Sequence, residues 1–190
     1  PSVAGHSAAD PPQPHYNLLR HAGTIYSLGM YHQEYPRREV RETMVRAAGF
    51  LKEKALRTVQ TERGPMLGIL STPELTGEPG PAEVKLGGVG LGLVALLATE
   101  KVAPGTTPAT ELAELGRFVL YLQKPGGGFY CKFVPSGPGR DDSWNSLYYP
   151  GEAALGLLML YELDGQERWL RGATAALVHL ADSRREQVFV

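Results

Sequence analysis

Three stretches of this chain share one design: Asn17–Tyr31 (NLLRHAGTIYSLGMY), Lys85–Ala98 (KLGGVGLGLVALLA) and Tyr148–Glu162 (YYPGEAALGLLMLYE). Each opens on polar or aromatic residues, passes through a Gly/Ala-rich turn and runs on as an apolar segment. With His21, Gly88 and Glu152 set as equivalent, the repeats are spaced by 67 and 64 residues. Self-similarity at that scale constrains the fold more than any single motif. Segments apolar on nearly every side imply helices buried on most faces. Their small residues (Ala22, Gly23, Gly90, Gly92, Ala153, Ala154, Gly156) allow close helix packing. Glycine costs about 1 kcal/mol of helix propensity against Ala, so close approach is the reason to expect it there.

An amphipathic helix follows each apolar one. Pro36 stands where a first-turn proline is tolerated, and Val40, Met44, Ala47 and Leu51 then recur at helical spacing. Thr107-Pro108 reads as an N-cap with proline in the first turn, ahead of Leu112, Leu115, Val119 and Leu122. Asp164 with Glu167 has the form of a capping box before Trp169, Ala173, Ala176, Leu177 and Leu180. Between hairpins lie glycine-rich, β-like runs, Gly64–Leu70 and Gly126–Val134; alternation of Phe129, Cys131 and Phe133 predicts a small hairpin arm. The expected fold class is all-α: three consecutive helical hairpins with short β-hairpin arms over residues 16–190, after an N-terminal extended segment, 1–15.

Composition excludes several functions. With 19 Lys+Arg against 20 Asp+Glu, no broad basic footprint for nucleic acid or membrane is present. The longest apolar stretch, Val89–Ala98, is about half the roughly 20 residues that a spanning helix needs. Neither nucleic acid nor membrane is expected as a partner. The first residues lack the basic and apolar regions of a signal peptide, and the chain opens on Pro, which reads as processing or as a piece of something longer. The compartment stays open. One cysteine, Cys131, precludes an internal disulfide and a multi-thiolate site, and no metal or cofactor is expected. Cys131 fits a small apolar residue in an arm. The glycines of Lys85–Gly92 lack a phosphate-loop pattern and are read as helix packing. His6, His15, His32 and His179 have no ligand-like spacing.

The repeats resemble the α/α-toroid superfamily. Tyr121–Tyr130 (YLQKPGGGFY) is similar to the helix-end punctuation of terpene-cyclase and prenyltransferase repeats. Tyr148–Leu170 and Tyr16–Leu28 resemble the six-hairpin sugar enzymes: glycoside hydrolases, unsaturated-uronyl hydrolases and sugar 2-epimerases. Such rings close with five to seven hairpins, whereas three are legible here. A fragment, or a chain that self-associates, is therefore expected, because half a ring leaves apolar edges exposed.

The resemblance implies a pocket around the N-termini of the inner helices, where free N–H groups and the positive dipole end favour anionic or hydroxyl-rich ligands. Its implied ligand is a small carbohydrate or uronate. Glu152, in the first turn of an apolar helix, is the leading acid/base candidate; dipole complementation or a buried ion pair is its competing role. Asp142 is the second carboxylate, with a capping or turn role competing. His21 is an auxiliary proton carrier or a structural histidine. Arg20 and Lys85 are anion contacts, Asn17 a polar contact, and Trp144, Tyr148 and Tyr149 a stacking surface or ordinary packing. A non-catalytic helical module that binds a partner chain or completes a ring is the alternative function.

Overall fold

The computed structural model describes residues 16–185; the expected extended segment 1–15 lies outside them. The hairpins are α1 (Leu18–Glu34) with α2 (Arg38–Ala55), α4 (Leu86–Val102) with α5 (Ala109–Tyr121), and α6 (Tyr149–Asp164) with α7 (Glu167–Arg184). A short helix, α3 (Pro73–Thr76), lies in the first connection. The inner helices stand side by side in the order α1, α4, α6, each backed by the amphipathic helix that follows it. Thirteen of the seventeen residues of α4 are buried, as a central helix flanked on both sides requires.

The arms are β-structure. Strands β1 (Leu56–Thr61) and β2 (Gly64–Ile69) form an antiparallel hairpin, and β3 (Val84–Lys85), β4 (Lys132–Val134) and β5 (Gly139–Asp141) form a three-stranded sheet in that order. Lys85 pairs with Lys132, and Phe133 with Arg140. The second sheet thus ties the entrance of α4 to the arm that leads to α6. Phe129, Cys131 and Phe133 are all buried, as their alternation predicts. Phe133 meets Phe118 and Tyr121 at ring separations of 5.6 and 5.8 Å, joining arm to bundle.

Several local expectations need correction. The second helix ends at Ala55, and residues from Leu56 form β1, which the helical reading of that stretch overlooks. Its buried stripe is Met44, Ala48, Leu51 and Ala55, with Val40 and Ala47 only partly covered. Thr107 does not cap α5; Pro108 occupies the cap position, and the buried Thr107 hydroxyl has no hydrogen-bond partner. Asp164 ends α6 rather than capping α7: its carboxylate accepts from the Gln166 backbone N–H (2.9 Å) and the Trp169 indole N–H (3.0 Å). Indole anchoring wins because Trp169 is completely buried and its N–H needs an acceptor. Leu177 is exposed, unlike the rest of its stripe.

Apolar surface also remains open on the outer hairpins. Tyr31 and Tyr35 on the first and Leu177 and Val178 on the last are all exposed. Among the described residues no helix is long and apolar enough to cross a membrane.

Candidate functional site

The inner helices start by different means. Asn17 caps α1, its side-chain oxygen accepting the Arg20 N–H at 3.0 Å. Pro150 opens α6 in its first turn. Helix α4 starts directly from β3, so Lys85, its N-cap residue, is positioned by the sheet.

Around α4 and α6 these starts assemble one group. A side chain on Gly87 would collide with the Tyr149 ring, so glycine there admits that ring against α4. Trp144 packs edge-on to Tyr149 at 5.4 Å and is 42% exposed. Lys132 lies 5.6 Å from the Trp144 ring centre and 3.3 Å from Glu83. Lys85 pairs with the same Glu83 at 3.2 Å and with Glu78 at 3.4 Å. Burial works to lower the Lys85 ammonium, but the hydrogen bond and charge of Glu83, aided by Glu78, outweigh it and raise its pKa. Burial raises the Tyr149 phenol; Lys85 pulls it down, and Glu152 and Glu83 push it up.

Glu152 is the unusual member. One carboxylate oxygen, Oε2, is buried with no hydrogen-bond partner. Burial alone pushes its pKa up to about 7. Polar groups buried without a partner are uncommon in folded proteins. A carboxyl held near neutrality on the first turn of an inner helix can donate or accept a proton at physiological pH.

The other candidates lie apart. His21 donates from Nε2 to the Ala47 carbonyl (2.9 Å) and packs with Tyr16 and Phe50 at 5.5 and 5.6 Å. With Asn17 and Arg20 it borders a groove of about 450 Å³ along the first hairpin. Burial holds the Tyr16 phenol at about 12. Asn17 and Tyr16 reach toward the central group, sharing a cavity of about 20 Å³ with Lys85. Asp142 is exposed and bound to Lys124 at 2.6 Å. Tyr148 is 74% exposed. The structure thus brings Lys85, Trp144, Tyr149 and Glu152 together; Arg20, His21, Asp142 and Tyr148 stand outside that group.

Lys132 and Glu78 are the members that sequence reading missed. The alternation that buries Phe129, Cys131 and Phe133 also sends Lys132 to the opposite side of its strand, so the signal was present. Its pairing with Glu83 depends on β3 lying beside β4, which no local pattern reveals.

No family model and no curated protein matches the sequence. Solved structures do. A family 76 glycoside hydrolase from a bovine Bacteroides thetaiotaomicron strain superimposes at TM-score 0.69 with 12% identity, over 85% of this chain and 34% of that one. The cellobiose 2-epimerase of Spirochaeta thermophila gives 0.71 with 14% identity, over 90% and 44%. A sugar epimerase from a ruminal bacterium gives 0.65 with 13% identity, over 91% and 44%. The fold is a partial α/α toroid. The chain spans less than half the length of each of these structures, and its three hairpins form an arc of the six-hairpin architecture.

Proposed function

We propose that this partial toroid is a carbohydrate-active domain that binds a sugar or uronate at the N-terminal end of α4 and α6. The observation that carries the reading is the unpartnered, buried Oε2 of Glu152, which neighbours Tyr149, the ring on which the exposed Trp144 packs. An aromatic face suits the apolar C–H face of a pyranose. Lys85 and Lys132 offer ammonium donors to hydroxyls or a uronate carboxylate. Glu152, protonated in a large fraction near neutrality, serves as the acid that delivers a proton to the sugar. The titles of the structural neighbours, a glycoside hydrolase and sugar epimerases, agree with this class of ligand. Hydrolysis takes two carboxyl groups facing each other across the sugar. Asp142, bound by Lys124, and His21, bonded to Ala47, receive no step in this reading.

The test is a saccharide panel followed by Trp144 fluorescence, with Trp144→Ala identifying the signal against buried Trp169. A saccharide that quenches wild type but not the variant is the expected result. Glu152→Gln is expected to remove any turnover while keeping the helical signal. A panel that leaves Trp144 unaffected, or turnover that survives Glu152→Gln, overturns the reading.

Exposed Tyr31 and Tyr35 on the first hairpin and Leu177 and Val178 on the last favour a second reading, a module that completes its ring with another copy. Light scattering decides it: a monomer over the whole accessible concentration range rules out pairing.

A further inference from the structure

A separate cavity of about 520 Å³ opens between the glycine-rich turn after α5, the loop before α6 and the last turns of α7. No residue of α1, α2 or α4 lines it, and neither does Glu152. Its walls depend on close backbone approach. Gly127 has φ 88°, and a side chain there would strike the Ala175 carbonyl oxygen. A Cβ on Gly128 would come within 2.8 Å of the His179 imidazole Nε2. The glycine turn therefore lies flat on α7 with the His179 ring against it. Across the cavity the Arg184 guanidinium donates to the Leu147 carbonyl, which fixes the loop. The Ser146 N–H donates to Cys131 Sγ at 3.4 Å, seating the thiol in the wall.

The lining has one chemical bias. Lys124, His179 and Arg184 bring ring or cationic nitrogen, and Ser146 and Ser183 bring hydroxyls. Among the described residues no carboxylate lines it. Asp142 touches Lys124 from outside, and Lys124 also sits 4.8 Å from the Tyr130 ring centre. The group around Glu152 differs: Glu78 and Glu83 pair with Lys85 and Lys132, and Glu152 adds a further carboxyl beside Tyr149. The carbonyl end of α7 disfavours an anion, and Arg184 in its last turn offsets that field. Burial raises the Cys131 thiol, which keeps a second negative charge away. The volume falls within the ordinary range for small-molecule sites.

We propose that this cavity binds a small oxyanion-bearing molecule, a carboxylate or a phosphate monoester, held by Lys124, His179 and Arg184. The site is independent of Glu152 and of the sugar reading. The exposed His179 imidazole, set against the glycine turn, gives a local readout without any activity assay: its Cε1–H resonance in proton–carbon NMR, assigned by its loss in His179→Gln. D-glucuronate and D-glucose 6-phosphate are the probes, and D-glucose is the neutral control. One of the charged probes should shift that resonance saturably, and glucose should leave it in place; the tighter probe identifies the anion. Arg184→Gln should weaken that probe by about tenfold, with Lys124→Gln as the second variant if the first unfolds. Glu152→Gln should bind like wild type. Absence of a saturable shift with both charged probes, an equal shift with glucose, or binding lost in Glu152→Gln but kept in both cavity variants overturns the proposal.

Discussion

The carboxyl of Glu152 makes a quantitative demand on stability. Its pKa rises from 4.5 in the unfolded reference to about 7 in the folded chain, through burial. Below about pH 4.5 both states hold the proton and the residue contributes nothing. Between about pH 4.5 and 7 the unfolded chain releases its proton while the folded chain keeps it, so stability falls as pH rises. Above about pH 7 the penalty is constant. A shift of this size corresponds to about 3 kcal/mol, and solvent screening of a partly exposed group reduces it to about 1–2 kcal/mol. Glu152→Gln keeps the shape and abolishes the titration. The amide leaves a polar atom in the same unpartnered position, which adds an offset independent of pH, so the slope is the diagnostic. Relative to its value near pH 4, the stability difference (variant minus wild type) should grow by about 1–2 kcal/mol by about pH 8. For a domain of this size that is roughly 2–8 °C in melting temperature. Urea or thermal unfolding followed by circular dichroism across that range measures it. A difference flat with pH, or one that turns in favour of wild type as pH rises, would show that the ionised carboxylate has a partner, and the burial argument for an acid at this position would fail.

Three further outcomes follow from packing. Gly90→Ala should destabilise by about 1–3 kcal/mol despite its better helix propensity, because the new Cβ would lie 2.9 Å from the Ala153 backbone nitrogen. Gly49→Ala, exposed on α2 with nothing within 4 Å of the added atom, should stabilise by about 0.5–1 kcal/mol; chemical denaturation of both variants checks the pair. Trp169→Ala should cost about 3–5 kcal/mol, since the side chain is fully buried and its loss also removes the indole donor to the Asp164 carboxylate, and a change below about 1 kcal/mol in the same assay would contradict that placement.

The three hairpins were legible because burial writes itself into sequence as period and polarity. Helices α4 and α6 are apolar on nearly every face, and their amphipathic partners carry one stripe each. The arms were legible in part: alternation marks Phe129, Cys131 and Phe133, but β1 begins within a run, Lys52–Leu56, that has full helical character. Tertiary pairing of Leu56 with Ile69 decides it. Caps were the weakest readings. Thr107 and Asp164 have cap chemistry, and local chemistry cannot report that the Trp169 indole takes the Asp164 carboxylate. For the candidate site, residue type and place near the inner-helix starts point to Lys85, Trp144, Tyr149 and Glu152, which the structure sets around Tyr149. Position along a repeat was not enough to show that Asp142 answers to Lys124, or that His21 turns toward Ala47, because both partners lie outside the repeat alignment.

The glycines of α4 connect these two levels. Gly87 admits the Tyr149 ring, and Gly90 admits the backbone at Glu152 and Ala153. In return, Gly156 of α6 lies against the Gly90 carbonyl, so the helices approach closely from both sides. A larger residue at Gly90 would push the first turn of α6 outward and let water reach the Glu152 carboxyl. Close packing and the raised pKa are then one physical effect, because desolvation is the sole cause acting on that group. Gly90→Ala should accordingly move the Glu152 titration toward the ordinary carboxylate range as it destabilises the fold, an outcome that carbon-13 NMR of the glutamate side chain can read. A titration that stays near 7 in a folded, destabilised Gly90→Ala chain would separate the two effects and assign the burial of Glu152 to its surroundings other than the α4–α6 contact.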